Sequence, residues 1–460
     1  MKFIADLHVH SRYSRATSKT SDLHGLYSWA QVKGIHLVGT GDFTHPAWFS
    51  RLKENLIPAE PGLFKLKNDT ISPAIKDVHP EAIPTRFMLT SEISSIYKKD
   101  DKVRKIHNLL MVPDFESAEK ISSKLAAIGN IESDGRPILG LDARDLLEIL
   151  LENSADGFLV PAHIWTPWFS LFGSKSGFDA IEDCFGDLTD HIFALETGLS
   201  SDPEMNRLIS ALDRFTLISN SDCHSPAKLG REANLFDTGF DFYSLKNALN
   251  RGGKQGFLGT IEFYPEEGKY HYDGHRKCNV CLEPLETKEK DYKCPVCQKP
   301  LTVGVMHRVM ELADRQEPVY PEGQKSFESL VPLPEILGEI LQVGSGSKKV
   351  MSQYARLISM FGSEFNIFRN VPTEEITHIY SEVLAEAIQR IRTGHVIRKP
   401  GYDGEFGVIK VFYENEIGKF TGQTRFFVSK AFADTAEPPR KEISQYSSKT
   451  QAPSVVSEAK

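Results

Sequence analysis

Along the first 265 residues, short apolar runs alternate with amphipathic stretches. The apolar runs fall at residues 3–9, 35–39, 86–92, 106–112, 157–162, 192–196 and 215–220. Each is brief and continuous, the pattern of a strand buried on both faces. Between them, residues 22–32, 117–128, 142–151 and 203–212 carry helical spacing. Asp22 sits where an N-cap belongs, and Ser117-Ala-Glu-Lys reads as the opening of a capping box. Strand–helix alternation of this length predicts a parallel α/β domain, closed or nearly closed into a barrel. From 266 to 302 the periodicity stops, and Lys, Tyr, Cys and Pro dominate. It returns as helical spacing at 331–343, 348–361 and 373–392, followed by strand-like alternation at 406–414. The polar, apolar-poor residues 431–460 predict a disordered tail. Four regions are therefore expected: a barrel at 1–265, a small metal-bound region at 266–302, a mainly helical domain at 303–430, and the tail.

Composition narrows the class. The chain has 460 residues, 40% hydrophobic and 25% charged, which excludes a mostly disordered, collagenous or membrane-embedded protein. No apolar run approaches the ~18 residues of a membrane helix, so no membrane is expected as a partner. The opening Met-Lys-Phe-Ile-Ala-Asp reads as a strand without a signal-peptide apolar region, and the expected compartment is the cytoplasm. A net charge of −8 gives no overall pull toward nucleic acid, although a local basic face is compatible with it. The sequence sets no oligomeric state.

The histidines change the picture by their placement. His8 and His10 form an HxH pair at the end of the first strand, directly after Asp6. Residues two apart in a strand point the same way, so two imidazoles can reach one ion. Asp42 lies just past the second strand, Glu92 ends the third, and His107 belongs to the fourth. His163 follows the fifth, and Asp222 and His224 follow the seventh. In a parallel α/β barrel those ends converge on one rim. One buried histidine usually means a hydrogen-bonded core residue; eight donor-type side chains on one rim point to two or three divalent ions. Mixed imidazole and carboxylate donors suit Zn²⁺, Mn²⁺ or Fe²⁺. Clustered dications generate a hydroxide at neutral pH and neutralise charge on phosphate oxygens. Glu92 is the expected bridging group, with His163 and Asp222 beside it as catalytic candidates.

The set Asp6-Leu-His-Val-His10, Asp42, Glu92, His107, His163 and Asp222-Cys-His224 resembles the polymerase-and-histidinol-phosphatase (PHP) family. That resemblance implies a distorted seven-stranded β/α barrel, a trinuclear metal site and phosphoester hydrolysis, with Zn²⁺, Mn²⁺ or Mg²⁺ as the ions. The sequence departs from the family where Arg15 and Ala16 stand in a stretch that often holds another histidine, and where Asp42 replaces a frequent histidine.

Cys278-Asn-Val-Cys281 and Cys294-Pro-Val-Cys297 form two CxxC pairs, the pattern of a closed four-thiolate structural Zn²⁺ ribbon in a reducing compartment. Further on, Leu341-Gln-Val-Gly-Ser-Gly-Ser-Lys-Lys-Val350 joins two predicted helices and resembles a helix-hairpin-helix DNA-binding element. Gly344, Gly346 and Lys348 would then approach a phosphate. Residues 400–410 resemble a stretch of superfamily 1 DNA helicases, but no GxxxxGK[ST] loop is present in the chain, so ATP-driven unwinding is not expected.

A PHP-type barrel, a cysteine ribbon and a helical tail, in this order, resemble the PHP-domain deaminated-base repair endonucleases. The resemblance implies cutting of damaged DNA, double- or single-stranded, on the 5′ side of hypoxanthine, uracil, xanthine or an abasic site. Other repair or replication proteins are candidate partners. A lesion inside the stack must be flipped out to be inspected. The loop beyond His163 offers Trp165, Trp168 and Phe169 as pocket walls and Ser174 and Lys175 as phosphate contacts. The alternative is a PHP-family phosphoesterase acting on a small phosphomonoester such as histidinol phosphate; such a substrate needs neither ribbon nor tail.

Overall fold

The computed structural model of the chain describes residues 1–68, 74, 75, 78, 83–250, 255–323 and 327–418. The expected tail at 431–460 lies outside the described residues. Among these residues no helix is long and apolar enough to cross a membrane.

A branched sheet of 11 strands forms the centre. Its path runs Glu328–Ser329, Phe257–Glu262, Ala233–Asp237, Lys2–Asp6, Leu37–Gly39, Arg86–Lys99, Phe64–Leu66, Leu56–Pro58. Lys102–Val112 branches from Arg86–Lys99 and carries Phe158–Pro161 on its other side. Ala194–Glu196 and Thr216–Ile218 form a separate parallel pair. The expected closed or nearly closed parallel barrel is met only in part: among the described residues the pairings are mixed and the strand path does not close. Lys2–Asp6, Leu37–Gly39 and Arg86–Lys99 are parallel, but most other pairings are antiparallel.

The largest departure has a local cause. Arg86–Lys99 runs well past Glu92 and returns as Lys102–Val112 through Asp100 and Asp101, both left-handed at φ 51° and 57°. Two such residues make a type I′ turn, whose twist matches an antiparallel hairpin. Glu92 and His107 thus stand mid-strand, opposite Leu109 and Ser94, instead of at strand ends.

Alternation still aims them together. Phe3, Ala5, Leu7, Met88, Leu109 and Val160 belong to one buried apolar layer. Glu92 is four residues from Met88 and His107 two from Leu109, so both continue onto that same face.

Helices Leu23–Lys33 and Ala143–Asn153 begin at the expected aspartates, with Asp22 accepting from Gly25 N and Asp142 from Arg144 N. Phe115–Ile128 starts earlier than expected, because Asp114 is the cap for Ser117 N. The expected helix at 203–212 is broken into Pro203–Asn206 and a 3₁₀ turn at Ser210–Leu212. The buried Arg207 curls the chain by donating to Leu212 O at 2.7 Å and Phe215 O at 3.1 Å.

Lys348–Phe361 forms as expected, capped by Ser347. The 373–392 segment is two helices, Thr373–Ile379 and Glu382–Arg392, because the Ser381 side chain accepts from Leu384 N and starts a new one. Only Val408–Lys410 of the expected 406–414 strand pairs, with Ile397–Lys399. The helical region does not stand apart: its core residues join the same apolar cluster as the sheet's helices.

Candidate active site and metal centres

Three residues that follow strands hold unusual backbone. Asp42, His163 and Asp222 are left-handed at φ 51°, 30° and 45°. Non-glycine residues in this region cost energy and cluster where a side chain must be aimed.

Two groups of donors converge beneath them. His8, His10, Glu92 and Asp222 bring one donor atom each within 4.8 Å of one another, and so do Glu92, His107 and His163. Glu92 belongs to both. Its Oε2 lies 3.1 Å from His10 Nε2 and 3.5 Å from His8 Nε2. Its Oε1 lies 2.6 Å from His107 Nδ1 and 3.1 Å from His163 Nε2. Asp222 Oδ1 lies 3.0 Å from His10 Nε2. Yet His8 Nε2, His10 Nε2 and Asp222 Oδ1 are buried without a hydrogen-bond partner. Buried polar atoms are nearly always satisfied. Orphaned nitrogens and a carboxylate oxygen facing one another fit divalent cations.

The outer contacts fix which imidazole nitrogen faces inward. Glu196 accepts at 3.0–3.1 Å from His8 Nδ1, at 2.8 Å from His163 N and at 2.8 Å from Asn220 Nδ2. Asp42 lies in neither donor group. It accepts from Ser11 N, Ser11 Oγ and Ser14 Oγ at 2.6–2.8 Å and lies 3.1 Å from His10 Nδ1. The expected ligand Asp42 thus lies outside both donor groups and faces His10 Nδ1, Ser11 and Ser14 instead. His224 also lies outside both groups, its ring 4.5 Å from that of His10. Asp6 accepts from Ser221 N and Gly230 N and so holds the loop that carries Asp222.

The charges are strongly coupled. Burial alone would push the His8 imidazole down, but Glu196, Glu92 and Asp222 outweigh it and hold its pKa well above the usual value. Burial would raise Glu92, but His107, Arg136 and His8 bring it well below the carboxylate range. Such a site keeps its carboxylates ionised, as metal ligation requires.

Sequence reading missed Glu196 and Arg136. Glu196 closes a predicted strand, the same signal that flagged the others. Arg136 has no spacing signal. Its loop is pinned where Gly135 N donates to Tyr13 O, and its Nη1 reaches Glu92 Oε2 at 3.0 Å.

The aromatic loop divides. Trp165 is buried, donates to Asn206 Oδ1 and stacks near Phe172, so it is core and not a pocket wall. Trp168 is 51% exposed with Lys105 Nζ 5.0 Å from its ring centre. The Phe169 ring lies 4.8 Å from that of His107. Ser174 and Lys175 are exposed.

In the helical region Gly344, Gly346 and Lys348 are exposed, and a Cβ on either glycine would touch nothing within 4 Å. The glycine that the turn requires is Gly338, where a Cβ would sit 2.9 Å from Val343 O.

At the ribbon, Cys278, Cys294 and Cys297 meet, but the fourth donor within 4.8 Å is His275 and not Cys281. Cys281 pairs with Gly274 across the Asp273–His275 and Val280–Leu282 hairpin.

Orphaned imidazoles around a shared carboxylate, on a mixed α/β sheet joined to a cysteine knuckle region and a helical region, make the class of site that can hold divalent cations. The comparisons make the class particular. The lesion-specific endonuclease Q of Pyrococcus furiosus superposes with a TM-score of 0.78 at 32% identity, covering 90% of this chain and 96% of that one. Endonuclease Q in complex with a 27-mer duplex substrate, an abasic lesion at its active site, superposes with a TM-score of 0.76 at 32% identity, covering 90% and 98%. This chain belongs to the endonuclease Q family. Residues 332–395 match the family model described as the MJ0043 C-terminal domain. The uncharacterized protein MJ0043 of Methanocaldococcus jannaschii is 32% identical over 253 residues, 53% of this chain; the match spans only 31% of that longer protein.

Proposed function

We propose that this chain is a metal-dependent, lesion-specific DNA endonuclease that cuts the phosphodiester on the 5′ side of deaminated bases (hypoxanthine, uracil, xanthine) and abasic sites. The observation that carries the reading is Glu92, one carboxylate shared by two buried donor groups. One ion would be held by His8, His10, Glu92 and Asp222, a second by Glu92, His107 and His163. Ions bound there supply a nucleophilic hydroxide and neutralise charge on the phosphate.

The chain's own groups do the rest. Glu196 and Asp42 hold the outer nitrogens of His8 and His10, which leaves both Nε2 atoms aimed at the centre. Arg136 sits at the rim with its guanidinium beside Glu92 and can donate to a phosphate oxygen. Trp168 and Phe169, with Lys105 against both rings, offer stacking faces for a base turned out of the duplex. The exposed loop at Gly344, Gly346 and Lys348 is suited to a DNA phosphate away from the cut.

Duplexes carrying hypoxanthine, uracil or an abasic site, incubated with Mg²⁺ or Mn²⁺, test this directly. A single nick 5′ of the lesion, leaving 3′-hydroxyl and 5′-phosphate ends, is expected, and Glu92→Gln is expected to abolish it. Hydrolysis of a chromogenic phosphomonoester with no nicking of any lesion duplex would overturn the reading.

A further inference from the structure

The two CxxC pairs suggest a four-sulfur site, and the backbone contradicts that pairing. We infer that the ribbon's ion is held by His275, Cys278, Cys294 and Cys297, and that Cys281 is a free thiol on the far side of the same hairpin. The inference concerns the ribbon alone and does not depend on the nuclease reading.

Strand register carries the first argument. In the antiparallel hairpin His275 faces Val280, and Gly274 faces Cys281. Directly paired residues share a face and successive residues alternate. Val280 and Leu282 therefore lie on the His275 side, and both pack with Cys294 and Leu301 in a small core that Cys278 and Cys297 flank. Cys281 lies on the opposite side with Gly274, where a Cβ on that glycine would meet the Tyr402 ring at 2.4 Å. Moving Cys281 to the cluster would turn this whole strand over and expose Val280 and Leu282.

The turns carry the second, independent argument. After Cys297, Gln298 is left-handed at φ 60°, and Gln298 N donates to Cys294 O. After Cys278, Asn279 is left-handed at φ 52°, and Asn279 N donates to Arg276 O. His275-x-x-Cys278-Asn279 and Cys294-x-x-Cys297-Gln298 thus share a donor, two residues, a donor and a left-handed exit, with the exit N–H reaching back three residues in the first and four in the second. Cys278-x-x-Cys281 does not share this pattern, since its residue 280 has already entered the strand.

Distance completes the case. Cys297 Sγ lies 3.4 Å from His275 Nδ1. Tetrahedral Zn²⁺ with its usual Zn–S and Zn–N bonds separates a sulfur and a nitrogen ligand by about 3.5 Å. Three thiolates and one imidazole, with no fifth donor among the described residues, make a closed structural site that selects Zn²⁺ over the hard cations Mg²⁺ and Mn²⁺.

The test uses the full chain loaded with Co²⁺ in place of zinc, because only a site with sulfur ligands gives sulfur-to-cobalt charge-transfer absorption. Cys281→Ser is expected to keep that band unchanged. His275→Ala is expected to weaken retention against a chelator at least tenfold and to shift the band. If His275→Ala does not fold, His275→Cys puts a fourth thiolate in the same place and is expected to restore binding with a stronger sulfur band. Iodoacetamide on the zinc-loaded chain, followed by peptide mapping, is expected to label Cys281 and to spare Cys278, Cys294 and Cys297. Loss of the band in Cys281→Ser, zinc-dependent protection of Cys281, or no sulfur band in any form would each overturn the assignment.

Discussion

Glu262 and Glu232 are fully buried close to the active site. Thr197 and Ser219 donate to Glu262 at 3.1 and 3.0 Å, and Thr260 donates as well. Burial still dominates and pushes the Glu262 carboxyl up to about 8, while Glu232, raised well above its usual value by burial and then by Glu262, adds a second such group. From about pH 5 to 8 the folded chain keeps a proton that the unfolded carboxyl has released, so stability falls as pH rises through that window. Glu262→Gln mimics the protonated form. Its melting temperature is expected to fall less steeply across the window than that of the parent chain; equal slopes in thermal scans would show that Glu262 does not hold the proton. Glu196 has a different task, since it orients His8 and touches no expected ion. Glu196→Gln should lower metal retention about 10–100-fold, as loss of an outer ligand partner does, with little change in melting. Competition with a chelator measures it, and unchanged retention would remove Glu196 as a positioning residue.

At the scale of elements, the Asp100–Asp101 turn decides the sheet. Aspartate tolerates the left-handed region less well than Asn-Gly, the preferred pair for a type I′ turn. Asp100→Asn with Asp101→Gly should stabilise the chain by about 0.5–1 kcal/mol; a loss of stability in denaturant titration would contradict the turn type. The same turn explains what the sequence could not reveal. Helix starts at Asp22, Asp142 and Ser347 were legible because a cap is a local chemical event. The apolar run at 86–92 continues through polar Ser94 and Ser95, which the sheet buries, so its true length was hidden. Without Asn-Gly or Gly-Gly at the turn, parallel pairing was the natural reading. Six of the eight expected donors, His8, His10, Glu92, His107, His163 and Asp222, still meet despite that error, while Asp42 and His224 fall outside both groups. Alternation put Glu92 and His107 on the interior face whether they ended a strand or stood within it. Asp42 read as a ligand because its serine donors come from Ser11 and Ser14, a contact made only by folding. Arg136 was silent for the same reason. Cys281 misled because its spacing to Cys278 is right while the register of its strand is not.

Across the whole molecule, one buried ion pair joins the first helix to the helical region, 331 residues apart in the chain. Lys33 Nζ lies 2.6 Å from Glu364 Oε2, with both side chains under a tenth exposed. Tyr354 donates to the same oxygen, and Leu333 N donates to the other at 3.1 Å. Packing at the joint is close: Gly34, left-handed at φ 87°, ends the Lys33 helix, and a Cβ there would sit 2.6 Å from Ser363 Oγ. The pair is no proof of stability in itself, because desolvation offsets much of the attraction. Removing one partner is another matter, for it leaves a buried charge uncompensated. Lys33→Met should therefore cost about 3–5 kcal/mol and open residues 332–395 to limited proteolysis. Adding Glu364→Gln removes the stranded charge and keeps one amide oxygen to accept from Leu333 N, while its amide nitrogen can donate to Tyr354 Oη, so the double variant should recover much of the loss. The two denaturation midpoints decide the matter. If the single variant loses under about 1 kcal/mol, the Glu364 carboxylate is reached by water, and the helical region is tied to the sheet by its apolar contacts and by more exposed pairs such as Arg369–Glu328.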